Sequence, residues 1–204
     1  MLYRAIGFDW GGVIKGRLGS NFNKEVCEVI GVDIETFRQA YFAHNKDVNR
    51  GDIDWPELWR RVLGDLDKVE FVDRVLAINQ ERSTNLPNQI NFKIIDLVDN
   101  LKKKGYRVGL LSNNTLKAGK DLRGLGIDKH FDVFHISAET RLVKPELEAF
   151  ELFVSELGVQ TNELIFIDDA EKSLSTSKEC GFTPVLYTGY DNLLDQLKSL
   201  GIEV

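Results

Sequence analysis

Four short polar clusters interrupt an otherwise apolar pattern, and they hold the residues whose types and spacing suit chemistry. Asp9 closes the apolar run Ala5-Ile6-Gly7-Phe8 and is followed by Trp10-Gly11-Gly12-Val13. Ser112-Asn113-Asn114-Thr115 follow Gly109-Leu110-Leu111, Lys144 stands just before Pro145, and Asp168-Asp169 follow Leu164-Ile165-Phe166-Ile167. Three carboxylates drawn into one apolar crevice repel one another, and their pKa values rise unless a cation sits among them. A hard divalent ion with oxygen ligands meets that need. Mg²⁺ suits it best, because it takes few carboxylates and keeps positions for waters and phosphate oxygens. Ser112 offers a hydroxyl, the amides of Asn113 and Asn114 lie at a predicted helix start where an anion is favoured, and Lys144 is a point charge suited to phosphate. In such a group Asp9 is a carboxylate nucleophile that would take a phosphoryl group as an aspartyl-phosphate. The metal would neutralise charge on the transferring oxygens.

For these clusters to meet, the elements that carry them must present their ends at one crevice. Near-continuous apolar runs at 3–9, 108–112, 133–137, 164–168 and 184–187 read as parallel strands covered on both faces. Helical patterns separate them: 90–104 has one apolar stripe and ends in Lys102-Lys103-Lys104 and Gly105, 145–157 begins with Pro145 and stops at Gly158, and 173–180 stops at Gly181. Strands alternating with helices imply a three-layer α/β, Rossmann-like parallel sheet, in which ligands bind at the carboxyl ends of the strands. The stretch between the first two strands is too long for one crossover and carries helical periodicity only. Helices are expected over 23–30, over 34–44 behind an Asp33 N-cap, over 55–63 behind Asp54 and stopped by Gly64, and over 68–81. This reads as a helical cap inserted directly after Asp9, placed to exclude water and choose a substrate.

The order of the motifs, Phe8-Asp9-Trp10-Gly11-Gly12-Val13, Leu111-Ser112-Asn113, Lys144-Pro145 and Ile167-Asp168-Asp169, resembles that of the haloacid dehalogenase (HAD) superfamily. The insertion resembles the C1 cap of that family, and Arg50-Gly51-Asp52-Ile53-Asp54 followed by Trp59 resembles a stretch common in the caps of its phosphatase branch. The resemblance implies a core of residues 1–14 and 88–204 with a cap of residues 15–87. It also implies Asp9 as nucleophile and metal ligand, a second metal ligand in the main-chain carbonyl of Gly11, and Asp168 and Asp169 as metal ligands, with Ser112 and Lys144 on the phosphate. Ser173 stands where the family often has Asn or Asp. In most phosphatases of the superfamily the residue two after the nucleophile is a second aspartate, which protonates the leaving group and then activates water. Gly11 can do neither, and losing such a group typically costs ~10²–10⁴ in rate. Some members of the glucose-1-phosphatase-like branch, with an Asp-Leu-Gly-Asn first motif, also lack it.

Three functions follow. The first is an Mg²⁺-dependent phosphatase acting on a small phosphorylated metabolite. It would favour leaving groups that need little protonation, such as an anomeric hydroxyl, with sugar phosphates leading. The second is a weakly active or inactive binding module. The third is a metal-independent dehalogenase, against which the Asp168-Asp169 pair argues, since a metal-free site has no use for it. Arg17, in the loop leaving Asp9, is a further candidate for substrate binding, with Lys15, His44, Asn45 and Arg50 behind it, and Trp10 is a candidate pocket wall. Trp55 and Trp59, four apart, read as cap core. His130, His135 and the three lysines at 102–104 read as packing or surface residues.

Composition bounds the rest. A chain of 204 residues, 43% hydrophobic and 28% charged, is that of an ordinary globular protein with room for one domain and an insertion. The formal charge of −6 argues against a nucleic-acid partner. No membrane-length apolar stretch or signal peptide is expected, and Cys27 and Cys180 have no metal or disulfide spacing. The expected setting is cytoplasmic, as a monomer or homodimer.

Overall fold

The computed structural model describes residues 2–16 and 19–204, without the side chains of residues 19–21, 82 and 83. Strand β1 (Ala5–Phe8) leads into four consecutive helices, α1 (Gly19–Ile30), α2 (Ile34–Asn49), α3 (Trp55–Asp65) and α4 (Val72–Thr84). Then come α5 (Phe92–Lys103), β2 (Arg107–Ser112), α6 (Leu116–Gly124), β3 (Val133–Ile136), α7 (Ser137–Thr140), α8 (Leu147–Leu157), β4 (Leu164–Asp168), α9 (Ser177–Cys180), β5 (Thr183–Leu186) and α10 (Tyr190–Ser199). All five strands are parallel, in the order β3-β2-β1-β4-β5. The chain builds outward from β1 to β3 on one side and returns to build β4 and β5 on the other. The switch point therefore lies between the carboxyl ends of β1 and β4, where an open α/β sheet leaves its crevice. Asp9 and Asp168 stand on either side of it.

The sheet is covered on both faces, which is why its strands lack alternation. On one face Ile6, Phe8, Val108, Leu110, Ile165 and Ile167 pack with Ile94, Val98 and Leu101 of α5 and Leu193 and Leu197 of α10. On the other, Ala5, Leu111, Leu164 and Phe166 pack with Phe150, Phe153, Val154 and Leu157 of α8. A third apolar cluster belongs to the inserted helices and is centred on Trp59, around which Phe22, Phe37, Tyr41 and Trp55 place their rings at 5.7–6.1 Å. The chain leaves for these helices and returns from them side by side: Gly16 N–H donates to Gln89 O at 3.0 Å and Asn91 N–H to Ile14 O at 2.8 Å, with Lys15 and Ile90 paired across the same ladder.

The local signals explain most helix ends. Asp33 caps α2 by accepting from Glu35 N and Thr36 N, and Asp54 caps α3 by accepting from Glu57 N at 2.8 Å. Several expected boundaries differ: α1 begins at Gly19 rather than 23, and the helix expected over 68–81 is a 3₁₀ turn over Val69–Phe71 followed by α4. Helix α2 runs five residues past His44, to Asn49, because Val48 is buried in the insertion's own core and holds the extra turn. Gly64 does not stop α3, which continues to Asp65. Pro145 does not open α8: a turn closed by Glu146 N–H to Val143 O at 2.8 Å comes first, and the helix begins at Leu147. The stretch expected as one helix over 173–180 divides into a 3₁₀ turn over Glu171–Leu174 and the short α9.

Candidate active site

Asp9 from the end of β1, Asp168 and Asp169 from the end of β4, and Lys144 from the loop before α8 meet at one place. Asp9 is fixed by its own N–H, which donates to Ile167 O of β4 at 2.8 Å, and its side chain is only slightly exposed. Lys144 Nζ lies 2.8 Å from Asp9 Oδ1 and donates to Asp168 Oδ2 at 2.5 Å, with the lysine and Asp168 side chains almost fully buried. Asp168 Oδ1 accepts from Ala170 N–H at 2.9 Å. Ser112, at the end of β2, is 2% exposed. Asp169 brings its carboxylate beside Gly12, and it is this approach that requires glycine there. Gly12 has φ +75°, and any Cβ would collide with the Asp169 carboxyl group.

Burial dominates the electrostatics. It pushes the Asp9 carboxyl up to about 6. Lys144 opposes that shift and the like charge of Asp168 adds to it. Burial also works to lower the Lys144 pKa, but the two aspartates outweigh it and hold the ammonium above its ordinary value. One oxygen from each of Asp9, Asp168 and Asp169 falls within 4.8 Å of the others, the only such group of three potential metal ligands among the described residues. Three carboxylates against one lysine leave net negative charge in a low-dielectric crevice. That donor set, all hard oxygen, fits a divalent cation such as Mg²⁺.

The residues that follow Ser112 are engaged inside the protein. The Asn113 side chain clamps the Lys144 main chain, Nδ2 donating to Lys144 O and Oδ1 accepting from Lys144 N–H, both at 2.8 Å. Asn114 N–H donates to Ser137 Oγ at 2.9 Å. The helix expected to begin at Asn113 and Asn114 begins two residues further on, with Thr115 as its cap accepting from Ala118 N at 3.1 Å. Gly11 is exposed, and a Cβ there would meet nothing nearer than Asp9 Oδ2 at 3.8 Å. There is room for a side chain beside the nucleophile candidate, and none is present.

A cavity of about 390 Å³ opens between the inserted helices and the core, bordered by Trp10 and Asn114 on the core side and by Phe22, Tyr41, Trp55 and Asn79 on the other. Its size suits a small metabolite. Of the residues singled out from sequence, Trp10, Lys15, Asn114 and Trp55 line it; Trp59 is buried in the helical core; Arg17 lies outside the described residues. His44 pairs with Asp65 at 2.8 Å, Asn45 donates to Tyr41 Oη at 3.0 Å, and Arg50 bonds Glu146 at 2.6 Å. His130 and His135 pair with Asp99 and Glu156. Phe22, Asn23, Tyr41 and Asn79 are cavity residues that sequence reasoning missed, since nothing in their spacing marks one helix face as facing the core. Trp55 Nε1 is buried with no hydrogen-bond partner.

A family model described as haloacid dehalogenase-like hydrolase matches residues 3–181. Bifunctional epoxide hydrolase 2 of Mus musculus is 26% identical over 116 residues, covering 54% of this chain and 21% of that protein. Glyceraldehyde 3-phosphate phosphatase of Methanocaldococcus jannaschii is 32% identical over 87 residues, 42% of this chain and 38% of that one. The chain thus spans well under half the length of these curated relatives. A HAD family enzyme of Bacteroides thetaiotaomicron, solved in complex with magnesium and inorganic phosphate, superposes with a TM-score of 0.64 at 22% identity, covering 93% of this chain and 96% of that one. With its parallel sheet and ordered strand-end motifs, the chain belongs to the haloacid dehalogenase-like hydrolase family.

Proposed function

We propose that the protein is an Mg²⁺-dependent phosphatase of the C1-capped, glucose-1-phosphatase-like branch, acting on a small phosphorylated metabolite, with sugar phosphates leading. The observation that carries this reading is Lys144 seated between Asp9 and Asp168, with Asp169 completing a carboxylate group at the switch point. Residues 1–14 and 88–204 form the core in this reading, and residues 15–87 the cap whose cavity takes the leaving group.

Asp9, Asp168, Asp169 and the main-chain oxygen of Gly11 would hold the metal. When bound, the metal supplies positive charge to the phosphate oxygens and keeps Asp9 ionised. Asp9 Oδ1 is held by Lys144, so the other oxygen, on the Gly11 side, is the attacking atom. It forms a bond to phosphorus as the bond to the leaving oxygen breaks, giving an aspartyl-phosphate on Asp9 that water then hydrolyses. Lys144 and Ser112 hold the phosphoryl oxygens, Asn113 fixes the Lys144 main chain, and Asn114 faces the leaving group from the cavity wall. The open space at Gly11 means the leaving group departs without a neighbouring carboxylic acid, which selects for substrates whose leaving oxygen needs little help.

A panel of phosphomonoesters assayed with and without Mg²⁺ tests this. Metal-dependent phosphate release, fastest for anomeric phosphates, is the expected outcome. The vacancy beside Asp9 at Gly11 is what favours the second reading, a binding module. Phosphate binding without turnover of any ester would select it.

A further inference from the structure

We infer that Ser137 and Glu146 are positioning residues that make the phosphate-holding end of the site depend on docking of the inserted helices. The inference rests on the phosphatase reading above for its kinetic readout, though not for its geometry.

The last turn of α2 reaches the core at one point, and it touches the two loops that carry Ser112 and Lys144. Ser137 is fully buried, and its Oγ donates to the main-chain oxygen of Asn49 at 2.6 Å while accepting from Asn114 N–H at 2.9 Å. Ala138 N–H donates to Asn114 O at 3.2 Å, so the loop after Ser112 is held on both its main-chain groups by the start of α7. A few residues on, Glu146 Oε1 accepts from Arg50 Nη2 at 2.6 Å and from Lys46 Nζ at 2.9 Å. Glu146 also closes the Val143 turn, which has Lys144 at its second position. The two loops are then locked to each other by Asn113, whose amide brackets the Lys144 main chain.

The contact is tight enough to dictate sequence. Gly51 sits at φ +73°, and a Cβ there would stand 2.8 Å from Ala138 O, so no other residue lets α2 approach α7 this closely. Arg141 and Asp52 form a further ion pair across the same junction. Lys144 therefore has two supports. Asn113 holds it from the core side, and the Glu146 turn, anchored by Lys46 and Arg50, holds it from the other. Loosening the anchor frees the backbone that aims Lys144, so its ammonium shifts between the two aspartates without being lost.

The experiment compares wild type with Glu146→Gln, Arg50→Gln and the exchanged pair Arg50→Glu/Glu146→Arg. It measures kcat and KM on p-nitrophenyl phosphate with Mg²⁺, the affinity for inorganic phosphate by calorimetry, and the thermal midpoint. Each single variant is expected to lose about tenfold in kcat, the scale of a displaced rather than deleted group, with a matching fall in phosphate affinity and a small change in KM. The exchanged pair is expected to recover most of the loss. Unchanged kcat and phosphate affinity in both single variants, with only the thermal midpoint lowered, would overturn the inference, as would an exchanged pair no better than either single change. A wild type that binds phosphate but turns over nothing would sink the phosphatase reading alone, and the affinity series would still decide this one.

Discussion

The strand-end cluster and the cavity beside it occupy adjoining space but are built on opposite terms. The cluster is ionic and largely buried, with Asp9, Lys144 and Asp168 locked at 2.5–2.8 Å and burial lifting the Asp9 carboxyl to about 6. The cavity is lined mostly by aromatic, apolar and amide side chains, with Lys15, Lys117 and Asp121 the charged exceptions, and Trp55 Nε1 is left unpartnered at its edge. Ionic geometry of the first kind is fixed by sheet topology and tolerates almost no change. A wall of the second kind is assembled from four inserted helices and α6 of the core, and offers shape and a few polar side chains. On the proposed function, the core makes and breaks bonds and the inserted helices discriminate among substrates, and each side has a substitution that should affect only its own function.

The largest effect is expected at Asp9. Asp9→Asn should cut phosphate release by at least about 10⁴-fold, the scale of removing a catalytic nucleophile, with circular dichroism unchanged. Retention of more than a tenth of the activity would break the assignment of chemistry to the cluster. Gly11→Asp should act in the other direction, raising turnover of alkyl phosphates by up to ~10², because the site has space for the side chain and proton transfer is what it lacks. The gain should vanish on p-nitrophenyl phosphate, whose leaving group needs no proton; an equal gain on both esters would show that Gly11 limits something else.

Trp55→Ala is the matching probe of the cavity. It should raise KM about tenfold for the preferred metabolite, a hydrophobic-contact effect, and leave p-nitrophenyl phosphate kinetics nearly untouched. A fall in kcat on both would erase the division between the two regions. The smallest effect concerns their junction. Burial works to raise the Glu146 pKa, but hydrogen bonds from Arg50, Lys46 and Val143 N–H hold it down to about 2, against an ordinary 4.5. A depressed carboxylate stabilises the folded state above pH 4.5, and that contribution is lost as pH falls toward 2. Glu146→Gln should therefore remove about 1 kcal/mol of acid sensitivity in that window, once partial exposure is allowed for, as read by denaturant melts at several pH values. Asp52 and Glu148 also face Arg50 there.

What was legible in the sequence follows the same division. The sheet was readable because parallel strands are buried on both faces, so Ala5-Ile6-Gly7-Phe8 and Leu164-Ile165-Phe166-Ile167 appear as uninterrupted apolar runs, and their polar ends stand out. The wall was not. Phe22, Tyr41 and Asn79 sit on separate helices, and only tertiary packing decides which face of each turns to the core. Trp55 and Trp59 show the limit well: at identical helical spacing, one lines the cavity and the other is the buried hub. Ser137 and Glu146 were invisible for another reason. A serine opening a helix and a glutamate after proline are ordinary capping residues, and only the approach of α2 gives them partners from another region. No membrane question arises from the described helices, none of which is long and apolar enough to cross a bilayer.

The paired ladder at 14–16 and 89–91 has a consequence for how such a protein can change. Because the chain departs and returns through hydrogen-bonded neighbours, everything between the two points is a closed loop hung from a single clasp. A different insertion of any length would meet the same clasp without moving Asp9. The junction of α2 and the residues after it with Ser137, Ala138, Arg141 and Glu146 would have to be rebuilt. On the proposed function, the substrate-selecting part could be exchanged while the reacting part keeps its geometry.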